Sequence, residues 1–218
     1  MSQQAQSEAH GAAEGEPVEP EGPSEEEELE LDEETRERRV AALSEVRKFG
    51  DPVLNSPASP VSEFDARLAA EAERMIELMR DALGVGLAAT QLGTMRRLLV
   101  FAAGPDATPR AIANPEIEWL SEESASAEEG CLSLPGVVLD VERPVHARVR
   151  GLDVAGQPVL VEASGLEARV LQHEIDHLDG VLILERTERE QRRAAIRALR
   201  EGETFHPDDL RERTPAEA

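Results

Sequence analysis

Only one cysteine, Cys131, occurs in the 218 residues. No intramolecular disulfide can form, so a secreted domain stapled by several bridges is excluded. Long apolar runs are missing too: no stretch approaches the roughly 18 consecutive apolar residues that a membrane-spanning helix needs. The N-terminus also lacks the basic patch followed by an apolar run that marks a signal peptide. These absences point to a cytoplasmic protein with no membrane partner. Positive charge is scarce as well, with 23 Lys and Arg against 46 Asp and Glu and a formal charge of −23. Residues 1–40 hold fourteen acidic side chains against three arginines, a net −11, which leaves −12 for the remainder. Phosphate contacts need clustered Lys and Arg, so this balance argues against DNA as a partner.

Residues 1–40 are mostly Glu, Ala, Gly, Pro, Ser and Gln, with few large apolar side chains. Such a segment cannot bury enough surface to offset its ordering entropy, and it reads as a disordered acidic extension. Partial helix is allowed over Glu25–Lys48, where Val40, Leu43 and Val46 recur at three. One domain is expected from the length, placed at 41–201, with a polar, frayed C-terminal tail over 202–218. Phe64, Leu68, Ala72, Met75, Ile76, Met79 and Leu83 lie on one face of a helix over about 62–83 capped by Ser62. Arg96–Ala102 and Arg110–Ile117 read as strands, 121–128 as polar loop, and 145–149 with 158–163 as a hairpin. A helix around Gln172–Gly180 and another over Glu185–Glu201 follow. This order predicts an α+β fold, with antiparallel β-sheets packed around the central HExxH-bearing helix and a further C-terminal helix.

That central stretch, QHEIDHLDG, is where chemistry concentrates. His173 and His177 are four apart, so they share one helical face within reach of a single ion, with Glu174 one step round. Gly180 offers a stop. An ion held by two imidazoles needs a third protein ligand and an open position if it is to activate water. Cys131 is the candidate, because a metal deprotonates a coordinating thiol; the alternative is a small buried hydrophobe. Glu174 cannot easily share the ion, but its carboxylate can reach a bound water as general base. Asp176 lies on another part of the helix and reads as a solvated or supporting carboxylate. HExxH also suits an ordinary zinc peptidase, with Glu185 or Glu188 as a third ligand. His10, His146 and His206 read as solvated or structural.

Two further stretches accompany this one: Gly84–Gln91, GVGLAATQ, and Glu129–Pro135, EGCLSLP. In this order the three resemble the signature motifs of the peptide deformylase family, and residues 46–61, VRKFGDPVLNSPASPV, resemble the start of its domain. The resemblance implies that Cys131, His173 and His177 bind the metal with water as fourth ligand, and that Glu174 is the catalytic base. It implies that the Gln91 side-chain amide and the Leu132 backbone N–H receive the developing oxyanion, and that Val85 and Gly86 contact an extended substrate peptide. The implied substrate is the formyl-methionine of a new polypeptide, and the products are formate and a free amino terminus. The implied cofactor is Fe2+, with Zn2+ next and Ni2+ or Co2+ as substitutes. In some deformylases the C-terminal helix docks on the ribosome. Here Glu185, Glu188, Glu190 and Glu201 dilute the arginines of that helix, which favours a solvated face. A noncatalytic binder that kept the fold is the other class, and the presence of Gln91, Cys131 and Glu174 speaks against it.

Overall fold

The computed structural model describes residues 31–104 and 106–211. Helix α1, Glu33–Glu45, starts at Asp32, whose side chain accepts from the Thr35 N–H at 2.9 Å. Glu33 and Glu34 in the first turn complement the positive end of the helix dipole. The disordered extension read over 1–40 is therefore corrected for its last residues. The cap fixes the start, and Ala42, Leu43 and Val46 bind the helix to the core. Residues 1–30 and His10 lie outside the described residues. Helix α2, Ala66–Asp81, is capped by Asp65 rather than Ser62, with the Asp65 carboxylate accepting from the N–H groups of Arg67 and Leu68. Its buried face is Leu68, Ala72, Met75 and Met79, as the spacing predicts, with Leu78 in addition.

The strands are β1 Gly86–Ala88, β2 Leu98–Phe101, β3 Arg110–Leu120, β4 Ser124–Glu129, β5 Leu139–Pro144, β6 His146–Leu152 and β7 Pro158–Ser164. Five form one sheet in the order β1-β2-β3-β6-β7, and β4 pairs with β5 in a separate ribbon. Every pairing is antiparallel. The predicted hairpin is β6–β7. The polar loop expected over 121–128 is not one: Ser124–Glu129 pairs in unbroken register from Ser124↔Pro144 to Glu129↔Leu139. Its apolar anchor is supplied by the partner, since Leu139 and Val141 of β5 are buried. With Ser124, Ala125 and Ser126 exposed and no large apolar residue in the strand, SASAEE carries no periodic signal of its own.

Helix α3, Gly165–Leu178, lies across the large sheet against β1, β2, β6 and β7. Every residue from Ala168 to Leu178 is buried. Ala168, Val170, Leu171, Ile175 and Leu178 face the sheet core, so the polar members of the helix are enclosed with them. Gly180 turns the chain with φ +76°, and a Cβ there would stand 2.8 Å from backbone atoms of Asn55 and Ser56. A short 3₁₀ turn, Ile183–Glu185, precedes helix α4, Arg189–Glu201, which begins four residues later than expected.

The tail expected to be polar and frayed over 202–218 is anchored through 211. Phe205 is buried beside Leu139 and Leu184, donates its N–H to the Gly136 carbonyl at 2.8 Å and accepts from Val138 at 2.9 Å. A short helix α5, Asp208–Arg211, follows, where Leu210 packs on the same cluster and Arg211 pairs with Asp140 at 2.7 Å. Among the described residues no helix is long and apolar enough to cross a membrane.

Candidate metal centre

Cys131, His173 and His177 come together although 42 residues separate the first from the second in sequence. Cys131 sits in a tight turn closed by the Leu134 N–H donating to the Cys131 carbonyl at 2.8 Å. The two histidines project from α3. One ligand atom of each residue lies within 4.8 Å of the others, and all three residues are buried. Cys131 Sγ and His177 Nε2 face each other at 3.2 Å. Burial holds His177 far below its usual pKa, and the neighbouring His173 and Arg143 push the same way. It is therefore a neutral imidazole, the form that ligates.

The chemistry of this donor set fits a divalent transition ion: one thiolate and two neutral imidazoles in a closed, buried group. The orientation of His173 fits as well. Its Nδ1 lies 3.0 Å from Glu129 Oε2, so the proton faces Glu129 and the Nε2 lone pair is left for a metal. Glu129 in turn belongs to a buried ion cluster. Arg143 donates from Nε to Glu129 Oε1 at 2.6 Å and from Nη2 to Oε2 at 2.9 Å. Arg169 donates to Glu129 Oε1 at 2.7 Å and also to the carbonyls of Val141 and Ala125. Burial by itself would raise the Glu129 carboxyl, but the hydrogen bonds from His173 and Arg143 outweigh it and hold the group well below the usual carboxylate range.

Asp176 is corrected in part by the same cluster. It is not solvated: it is 8% exposed and accepts from Arg143 at 2.9 Å and from Arg186 Nε at 3.0 Å. Its carboxylate is committed away from the ligand atoms. Glu185 caps the Leu182 N–H at 2.9 Å and pairs with Arg192 at 3.1 Å, and Glu188 begins α4, so neither joins the metal group. His206 pairs with Glu128 at 3.3 Å, and His146 is exposed on β6.

Glu174 is fully buried, 0% exposed, and its carboxylate lies against Gly86. A Cβ at Gly86 would overlap Glu174 Oε1 and stand 2.8 Å from Cδ. Glycine at this position is what gives the carboxylate its place. Gly86 also opens β1, the edge strand of the large sheet, whose second side has no strand beside it in the sheet. Val85 is partly buried and its carbonyl accepts from Ala102 at 2.8 Å. Gln91 occupies a 3₁₀ turn, Ala89–Leu92, and is buried, not on the surface. Its Oε1 accepts from the Ala88 N–H at 2.9 Å, which turns Nε2 toward Ser133 Oγ at 3.3 Å and Cys131 Sγ at 3.8 Å. Thr90 beside it donates to the His177 carbonyl at 3.1 Å and ties this turn to α3.

We expect Gly86→Ala to lower turnover about a hundredfold with metal content unchanged, because a misplacement of about 1 Å at a reacting group has that cost. Steady-state kinetics beside metal analysis checks this, and unchanged kcat would show that Glu174 tolerates the intrusion.

Sequence reasoning did not find Arg143 and Arg169, the counterions of Glu129. Nothing local marks them, since an arginine on a strand or helix looks solvated until its partner is known. Glu129 itself opens EGCLSLP, and its position two residues before Cys131 was the available signal.

The family model for polypeptide deformylase matches residues 43–193. A peptide deformylase from Acidothermus cellulolyticus is 47% identical over 162 residues, 74% of this chain and 88% of that protein. The crystal structure of the Thermotoga maritima peptide deformylase is similar with a TM-score of 0.63 at 46% identity, covering 66% of this chain and 96% of that one. The Synechococcus elongatus peptide deformylase in complex with actinonin gives a TM-score of 0.68 at 40% identity, covering 73% of this chain and 88% of that one. A match over most of the chain, together with a buried Cys-His-His group where that family's motifs converge, means that the chain belongs to the polypeptide deformylase family.

Proposed function

We propose that this chain hydrolyses the N-terminal formyl group of newly made polypeptides, with Glu174 as its general base. The observation that carries the mechanism is the fully buried Glu174 carboxylate seated against Gly86, on the helix that presents His173 and His177. Cys131, His173 and His177 would hold a divalent ion, which when bound would supply Lewis acidity and make water a stronger acid. Glu174 takes a proton from the attacking water as it adds to the formyl carbon. The oxygen of that carbon gains negative charge, which the Gln91 Nε2–H and the Leu132 N–H meet as donors. Glu174 then delivers the proton to the amine nitrogen as the C–N bond breaks, leaving formate and a free amino terminus. The substrate backbone adds to the open side of β1 at Gly86, with Val85 beside the methionine side chain.

Iron(II) is the proposed ion, with zinc second and nickel or cobalt as substitutes, since one thiolate and two imidazoles accept all four. A substrate made by translation supports a cytoplasmic location. Ribosome contact through α4 is not needed for this chemistry. The pairing of Arg192 with Glu185 and of Arg197 with Glu201 favours a solvated helix face.

The test is formate release from formyl-Met-Ala-Ser by anaerobically prepared, iron-loaded protein, repeated with zinc, cobalt and nickel. Formate with the internal peptide bonds left intact is expected. Cleavage between residues would instead make the chain an HExxH peptidase.

A further inference from the structure

The chain has 22 arginines and a single lysine, Lys48. Its half-buried ammonium donates to the Leu132 carbonyl at 2.8 Å. Its neighbours act in the same direction: the Arg47 N–H donates to the Gln91 carbonyl at 2.7 Å and the Phe49 N–H to the Ser133 carbonyl at 2.9 Å. Three consecutive residues thus strap the turn that carries Gln91 to the turn that carries Cys131, Leu132 and Ser133. These are the two segments that supply the oxyanion donors, and no β-ladder pairs them. The Leu132 N–H has no acceptor among the described residues, so it is available to a substrate oxygen. A compact ammonium holds one carbonyl from a narrow, half-buried position, whereas a guanidinium presents a broad fork of five donors. In a chain that uses arginine everywhere else, the lysine stands where a point donor is needed.

We propose that Lys48 is a positioning residue of the oxyanion site, holding the Leu132 carbonyl so that the adjoining Leu132 N–H converges with Gln91 Nε2. The inference rests on the hydrolase reading above. Lys48 does not touch the substrate; it fixes the peptide that does. Misaligned donors are felt in the transition state, where the oxygen is charged, and little in the ground state, so kcat falls while KM stays.

Iron-loaded full-length Lys48→Met, assayed on formyl-Met-Ala-Ser, is expected to lose about tenfold to a hundredfold in kcat, below the cost of deleting an oxyanion donor outright. KM should stay within about twofold, with iron content and unfolding midpoint at wild-type values, and Lys48→Arg should recover part of the loss. A kcat within about twofold of wild type, or a loss that follows iron content or the unfolding midpoint, overturns the proposal. If Lys48→Met fails to fold, Lys48→Gln tests the same point: its amide is shorter and uncharged, so kcat should fall with KM within about twofold, and a kcat within about twofold of wild type would again overturn the proposal. Wild-type protein that releases no formate sinks the hydrolase reading, whereas active wild type with an unaffected Lys48→Met sinks only this inference.

Discussion

Glu174→Gln is expected to reduce kcat for formate release by about 10²–10⁴-fold, the range of a positioned general base, with metal still bound in full. Glutamine has nearly the shape of glutamate and meets the same cavity against Gly86, so the fold has no reason to change. What is lost is the capacity to accept a proton from water and return it to the departing nitrogen. Cys131→Ala makes the contrasting failure, because it removes one of three ligand residues and activity disappears together with bound metal. Metal analysis of both variants beside their kinetics separates the roles. Wild-type turnover in Glu174→Gln would move the base elsewhere, and the pairing of Asp176 with Arg143 and Arg186 already makes that carboxylate a poor replacement.

The site was legible in sequence to the extent that its parts are local. A pair of histidines four apart declares a helical face, and α3 is the helix that the apolar spacing of Leu166, Val170, Leu171 and Ile175 describes. Cys131 could be joined to that pair only through the resemblance of EGCLSLP to a known motif, since periodicity says nothing about which turn approaches which helix. The errors in the fold have one physical origin. β4 is polar because its apolar support comes from Leu139 and Val141 on its partner, the start of α1 depends on one capping aspartate, and the buried side chain of the tail is Phe205. Composition averaged over a window hides a single cap or a single plug, although each decides whether its segment is ordered. The counterions of Glu129 are hidden for a related reason. Arg143 on β5 and Arg169 on α3 are 26 residues apart in sequence, and only the closed fold makes their charges necessary.

That necessity gives the largest expected effect on stability. Glu129→Gln should cost about 3–5 kcal/mol, the usual result of removing one partner from a buried ion cluster. The side chain keeps its size but leaves buried Arg143 with Asp176 as its remaining carboxylate and buried Arg169 with only the Val141 and Ala125 carbonyls. His173 loses its charged acceptor at the same time, since the one neutral oxygen of Gln is contested by Arg143 and Arg169, so metal affinity should fall by about 10–100-fold. The two effects are separated by denaturant unfolding in chelator, where metal makes no contribution, followed by metal titration of the folded protein. The pH dependence has a definite sign. In the fold the Glu129 carboxyl is held well below its ordinary range, so it stays charged where the unfolded chain would already be protonated. Its contribution is therefore complete above the unfolded value of about 4.3 and is lost as pH falls from there toward the folded value. Wild type and Glu129→Gln should differ most near neutrality and converge in acid. A difference that stays constant to pH about 3 would mean that shape, and not charge, is what Glu129 contributes to the cluster.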